Sequence, residues 1–497
     1  MNIGIVTTWF ERGAAYVSKQ YAEVLSKENN IYIFARSGEK YAIGEKEWDS
    51  ERVHWAKKCD VNISTYIDLK EFELWIKNNN IECVLFNEQH WWQPILYCNE
   101  KKIKCGAYID YYTEETIPFF RNYDFILCNT KRHYDVFKNF EQVFYIPWGT
   151  DINLFKMVNN QLVTKDKVTF FHSAGYSPQR KGTEYLLEAF NKLSQKYEGQ
   201  CQLIIHTQVE LEKFNPNIND ILQKNSYIKV ITKTITAPGL YHLGDVYVYP
   251  SVLDGLGLTV AEALSCGLPI IVTDNAPMIE FGNNELRRKV RVKAYHCRKD
   301  AYFWPEAEVS VRSLYNQLEY FIIHKNEIPE LKVKARKYAV EYLDWSKNAE
   351  ELNDIFRNTQ ILEHRENYFQ NIRNYEDKIT SIETGFKIYD YKLKRIEKEI
   401  KKYEGKQIFF YPGGGQTKRI LKYVDLENVR IMGIIDRSYE EFANYPIYDL
   451  NVLKQYPDAV VIVTSWFYRE EILSAIKKIE EFRGIIVNLF QSQDETL

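Results

Sequence analysis

The chain has 497 residues, 45% of them hydrophobic and 27% charged, with a formal net charge of −3. This balance excludes a mostly disordered chain, a fibrous or disulfide-rich scaffold and a surface built for a polyanion such as nucleic acid. Length alone predicts about two to four domains, and no apolar run approaches the roughly eighteen residues a membrane span requires.

Short apolar runs open the chain: Ile3–Thr7, Ile31–Ala35, Cys83–Phe86, Gly106–Ile109, Phe125–Cys128 and Val143–Ile146. They lack polar alternation, which predicts strands buried on both faces and therefore a parallel sheet covered by helices. The first run has no charged-then-apolar leader layout, so a cytoplasmic chain is expected. The pattern restarts at Val168–Phe171 and continues through Gln202–His206, Ile228–Ile231, Val246–Tyr249 and Ile270–Thr273. Two successive α/β domains of this kind imply a cleft at the carboxyl ends of their strands. After about residue 285 the strand signal fades, and helices are expected up to Ile355-Phe356. The eight cysteines show no CxxC or Cys/His spacing, so no metal is expected, and several read as buried thiols.

Beyond residue 358 the period changes. Ile372, Tyr375, Ile379, Ile382, Phe386, Tyr389, Leu393, Ile396, Ile400 and Tyr403 alternate at spacings of three and four. Such a seam predicts a coiled coil, and the acidic residues 376, 383, 390, 397 and 404 beside it favour a parallel homodimer over 361–404. The other reading is a helix packed on its own chain, and Gly385 inside the seam weakens the coil. From Gly405 a small α/β unit follows, with strands Gln407–Tyr411, Arg430–Ile435, Asp458–Thr464 and Gly484–Leu489. Its loop Pro412-Gly413-Gly414-Gly415 lacks the third glycine of a dinucleotide fingerprint, although Asp436 is suitably placed. An assembly role is favoured over nucleotide binding there. The expected division is 1–155, 156–358, 359–405 and 406–497.

The chemistry concentrates in Tyr249-Pro250-Ser251-Val252-Leu253-Asp254-Gly255-Leu256-Gly257-Leu258-Thr259-Val260-Ala261-Glu262-Ala263. A strand runs into a glycine-bearing loop and then a helix start, where free N–H groups and the helix dipole favour a phosphate. Thr259-x-x-Glu262 also fits a capping box, which leaves a second explanation for Glu262. These residues resemble the donor-site signature of retaining GT-B glycosyltransferases that use nucleotide sugars. Pro250-Ser251, Gly255, Gly257-Leu258, Glu262-Ala263, Gly267 and Pro269 match it; Asp254 replaces the first Glu and Leu256 the Phe. The resemblance implies that the acid at 254 holds donor-sugar hydroxyls and Glu262 the nucleotide ribose. It also implies that Lys181-Gly182 supply a diphosphate-binding lysine, with Arg180 replacing the family arginine at the position of Tyr176. Arg12-Gly13-Ala14-Ala15 resembles the small-residue loop facing the diphosphate, and Pro147–Asp151 the inter-domain junction.

The fold so implied is α/β, with two Rossmann-like domains facing a cleft (GT-B), a coiled-coil helix and a third small Rossmann-like domain. The donor-binding set is Gly13, Arg180, Lys181, Asp254, Gly255, Leu256, Gly257, Leu258, Thr259 and Glu262, and the catalytic candidates are Asp110, Lys181 and Arg180. Asp110 stands where many members carry a His; His90, beside Trp91 and Trp92, is the competing candidate. The expected reaction is transfer, with retention and no metal or resident cofactor, from a UDP- or GDP-sugar to a glycan, lipid-linked or protein acceptor, in bacterial surface polysaccharide or glycoconjugate synthesis. A lipid-linked acceptor would place the chain at the inner face of the membrane. The alternatives are an epimerase or phosphorylase on the same fold, and a non-catalytic partner subunit.

Overall fold

The computed structural model describes all residues except 37–40, 59–64, 159–165, 212–217, 299, 301, 364–369, 375–381, 437–444, 467 and 491–497. They form two compact units, Met1–Asn371 and Ile372–Leu497. The larger unit contains two parallel sheets. The first holds β1 (Asn2–Thr7), β2 (Asn30–Ala35), β3 (Val53–Trp55), β4 (Cys83–Asn87), β5 (Lys104–Tyr108), β6 (Phe125–Cys128) and β7 (Val143–Tyr145). Its order is β3-β2-β1-β4-β5-β6-β7. The second holds β8 (Val168–Gly175), β9 (Cys201–Thr207), β10 (Ile228–Thr232), β11 (Val246–Tyr249), β12 (Ile270–Thr273) and β13 (Arg287–Val290), ordered β10-β9-β8-β11-β12-β13. Both reverse direction beside their first strand, the doubly wound arrangement that opens a crevice there.

The central strands are apolar throughout because helices cover both faces: β4, β11 and β12 are buried at every residue. A buried ion pair ties the second sheet to its helical layer. Lys332, on the Ile328–Tyr342 helix, donates to Asp245 Oδ1 at 2.8 Å, and Asp245 Oδ2 accepts Thr169 N–H at 2.9 Å. Asp245 precedes β11 and Thr169 lies in β8, so one carboxylate pins two strands and a helix.

Strands do not stop near residue 285. β13 extends the second sheet, and β14 (Val292–His296) pairs antiparallel with β15 (Glu306–Val309). The basic residues of Arg287–Lys293 hide an edge-strand alternation, since an edge tolerates charge that a central strand does not. β3 was likewise unexpected; it is a three-residue, half-buried edge.

The last helices of the larger unit return to its first half. Thr150 N–H donates to Leu343 O at 2.7 Å where the chain crosses for the second time, and Trp148 lies against Trp345 at 4.8 Å. Trp345 then donates to Gln20 O at 3.0 Å, and Asn353 accepts from Asn29 at 2.8 Å. Residues 345–358 follow the second half in sequence yet pack on the first.

The smaller unit has a parallel sheet, β18-β17-β16-β19-β20, made of β16 (Ile408–Tyr411), β17 (Ile431–Ile435), β18 (Ile447–Tyr448), β19 (Val460–Val463) and β20 (Ile485–Asn488). A helix, Ile382–Lys401, precedes it. Leu393, Ile396, Ile400 and Tyr403, the end of the heptad seam, pack with Ile408, Phe410 and Ile420 of this unit. That stretch is used as core within its own chain. The seam residues Tyr375 and Ile379 lie outside the described residues.

Removing the Lys332 charge leaves Asp245 buried without its cation, which typically costs about 3–5 kcal/mol. Lys332→Met is therefore expected to lower the free energy of unfolding by that amount, read as a lower urea midpoint with an unchanged slope.

Candidate active site

The site gathers at the carboxyl ends of β8 and β11, opposite the loop after β1. The loop after β8 ends in Lys181-Gly182. Gly182 is left-handed (φ +71) and caps the Thr183–Lys196 helix without a side-chain bond. A methyl group there would lie 1.9 Å from Pro250 O, so the lysine loop can rest on the β11 loop only through glycine.

Asp254 organises the β11 loop. Its Oδ1 accepts Leu256 N–H at 3.2 Å and Gly257 N–H at 2.9 Å, closing an Asx-type turn. Its Oδ2 accepts Tyr249 OH at 2.5 Å and pairs with Lys181 Nζ, which also donates to the Tyr249 hydroxyl. The Asp254 carboxylate is thus committed to Lys181, Tyr249 and its own loop. Lys181 is 15% exposed. Burial draws its ammonium down to about 8, with Asp254 opposing. Burial works against the Asp254 charge, but Lys181 and Arg180 hold that carboxyl well below the usual range. Arg180 is exposed and accepts Val252 N–H at 2.9 Å through its carbonyl. Its guanidinium feels the charges of Asp254, Asp110 and Glu88. Tyr176, where the family arginine was expected, is 49% exposed.

The loop delivers a helix start. Gly257 (φ +79) caps the Leu258–Ser265 helix with no side-chain bond, so its first N–H groups and dipole are not masked by a cap. The capping box is therefore not formed. Thr259 is the second helical residue, and Glu262 instead accepts the Tyr241 hydroxyl. Burial raises Glu262 to about 7, against that hydrogen bond and the Lys181 charge. Leu256 is buried beneath the loop. Leu258 faces the first half: a methyl group on Gly13 would stand 3.2 Å from Leu258 Cδ1.

Asp110 reaches the β11 loop from beyond the end of β5. Its Oδ1 lies 1.9 Å from where a Gly255 Cβ would be, so only glycine permits the contact. Burial, and then the charge and hydrogen bond of Glu88, push the Asp110 carboxyl well above its ordinary value. Glu88 ends β4 in a left-handed conformation (φ +52), a strained geometry for a non-glycine residue. His90 lies nearby, its ring 4.3 Å from Tyr111, and burial lowers it to about 4 while the Asp110 charge opposes. Of the two candidates, Asp110 is the one seated against the donor loop.

The residues sequence reasoning missed are Tyr249, Tyr241, Glu88, Arg132 and His133. Arg132 Nη1 donates to Ala276 O at 2.7 Å, and Nη2 to Asp254 O at 2.5 Å and Gly255 O at 3.4 Å. His133 Nε2 lies 3.1 Å from Gly255 O. Only the Tyr249 position adjoined a recognised signature. Among the described residues, no group of three or more His, Cys, Asp or Glu is placed to hold a metal ion, and no helix is long and apolar enough to cross a membrane.

Comparison with known proteins bears on the family segment and the fold. Residues 166–295 match the family model "Glycosyl transferases group 1". An uncharacterised glycosyltransferase of Methanocaldococcus jannaschii is 27% identical over 212 residues, 41% of this chain and 48% of the relative. The chain thus spans less than half the length of the curated relatives it matches. Among solved structures, sucrose-phosphate synthase from Thermosynechococcus elongatus superimposes with a TM-score of 0.55 at 14% identity, covering 72% of this chain and 98% of that one. Anabaena HepE in complex with UDP and glucose gives 0.54 at 14% identity, covering 72% and 99%. At such identity these two establish the fold alone. The larger unit accordingly has the GT-B fold, and its second half carries a segment of the group 1 glycosyl transferase type.

Proposed function

We propose that the chain transfers a glycosyl group from a nucleotide sugar to an acceptor bound against the first half. The observation that carries this reading is that Asp254 joins the largely buried Lys181 to Gly257 at the uncapped start of the Leu258–Ser265 helix, whose first residue, Leu258, lies opposite Gly13 of the first half. A diphosphate between them would meet an ammonium, backbone N–H groups and a helix dipole, which stabilise the charge left as the glycosidic C–O bond breaks. Arg180 adds a second cation. Glu262, one turn into the helix, is suited to accept ribose hydroxyls. The proposed reaction uses no metal or resident cofactor and retains anomeric configuration. The UDP complex of the HepE neighbour supports UDP as the first donor base to try, with GDP second. Glycan, lipid-linked and protein acceptors remain the proposed classes, in the cytoplasm and in surface glycoconjugate synthesis.

Incubation with a panel of UDP- and GDP-sugars tests the reading through released nucleoside diphosphate. Lys181→Ala is expected to slow release by about 10²-fold or more, in line with loss of a transition-state donor. Near-normal kinetics would remove Lys181 from the chemistry.

A pH titration checks the same residue. Only the ammonium form attracts diphosphate, and in the empty site that form is lost as pH rises through about 8. UDP or GDP affinity is therefore expected to fall above that pH. Lys181→Arg should abolish the fall, because guanidinium stays charged.

Self-association through the heptad seam is also proposed, for its part before Leu393, since the remainder serves the core of the smaller unit. Light scattering on the whole chain and on one ending at Phe356 is expected to give a dimer and a monomer. Two monomers would end the proposal.

A further inference from the structure

The first half contributes more to the donor loop than Asp110. β6 ends at Cys128, and Thr130 caps the Lys131–Phe137 helix by accepting His133 N–H at 3.2 Å. The helix's first two N–H groups leave their own half: Lys131 and Arg132 donate to Glu280 Oε2 at 2.6 Å and Oε1 at 3.0 Å. Glu280 belongs to the second half and seats the helix end against it.

Arg132 is 5% exposed, and its guanidinium donates to three carbonyls, those of Ala276, Asp254 and Gly255. The Trp304 ring lies 5.0 Å from it. Desolvating a cation is costly, and three converging carbonyl dipoles offset that cost only while they stay converged. His133 adds a second hold. Trp304 Nε1 donates to Tyr112 OH at 2.6 Å, and Tyr112 OH lies 2.8 Å from His133 Nδ1. With Nδ1 accepting the phenol proton, Nε2 carries the hydrogen that Gly255 O accepts. The Asp254 carbonyl is thus held by Arg132, while its carboxylate holds Lys181. Other contacts, Trp345 on Gln20 and Asn353 on Asn29, already join the returning helices to the first half away from the cleft.

We propose that Arg132, supported by His133, is a positioning residue that fixes Asp254 and Gly255, and through them Lys181, only when the first half is docked on the donor loop. This deepens the transferase reading and rests on it. The donor half alone would then bind nucleotide through Lys181 and Glu262, whereas turnover would require the docked arginine.

The test uses the full chain, a UDP- and GDP-sugar panel for turnover, and calorimetric affinities for UDP and GDP. Arg132→Ala is expected to cut turnover by about 10²-fold, the usual scale for misplacing a site by an ångström, while diphosphate affinity changes by no more than about threefold, as that binding stays with the second half. Millimolar guanidinium should recover part of the turnover. Arg132→Lys should recover little, because a point charge cannot span three carbonyls. Turnover near the wild-type value in Arg132→Ala overturns the proposal, as does an equal loss of turnover and affinity that guanidinium leaves unchanged. If Arg132→Ala does not fold, Glu280→Gln carries the test: it must lose turnover without losing affinity, and unchanged turnover overturns the proposal. A wild-type chain that consumes no donor defeats the transferase reading itself, whereas active wild type beside an equally active Arg132→Ala defeats this inference alone.

Discussion

The arrangement depends on one carboxylate being fully subscribed. Asp254 divides its oxygens between two loop amides on one side and Lys181 with Tyr249 on the other. A buried ammonium without that partner would give up its proton, and a buried carboxylate without its cation would take one up. Each keeps the other charged. A glutamate at this position carries one more methylene, enough to reach out toward a ligand; aspartate instead folds back on its own loop.

The candidate site is not the property of one half. Gly255 is free of a side chain because Asp110 from β5 occupies its space. Arg132, His133 and the backbone of Lys131 reach across to Asp254, Gly255, Ala276 and Glu280. The hairpin β14–β15 answers in the other direction. Between its strands, Phe303 N–H donates to Tyr112 O at 2.9 Å, and Tyr302 stacks on Tyr111 at 5.2 Å beside Asp110. Hydrogen bonds to carbonyls and stacked rings depend on close approach and direction, unlike a diffuse Coulomb attraction. They make the wall sensitive to small rotations of one half against the other.

Much of this was legible in the residues. Unbroken apolar runs at β1, β4, β8, β11 and β12 announced parallel strands because burial on both faces removes polar alternation. The glycines and acids of 254–262 announced a loop opening into a helix. What escaped had physical reasons. β13 and β14 are edge strands whose lysines and arginines swamp the alternation. Arg132 is an ordinary side chain whose importance comes from carbonyls more than a hundred and twenty residues away in sequence, and Tyr249 matters because it joins nearby Asp254 to distant Lys181, distances no local period encodes. The seam announced a helix, which the described residues form over Ile382–Lys401, but the same apolar spacing serves a partner chain or a neighbouring sheet. For Leu393, Ile396, Ile400 and Tyr403 the sheet takes it.

The two passages between the halves of the larger unit run side by side, Thr150 bonded to Leu343 and Trp148 resting on Trp345. Paired connections behave as a door hung on two adjacent pins: they allow swing about the line joining them and resist twist and shear. Any opening of the crevice to admit or discharge a bound molecule would follow that single arc, lifting Arg132 from its carbonyls and Asp110 from Gly255 in the same stroke.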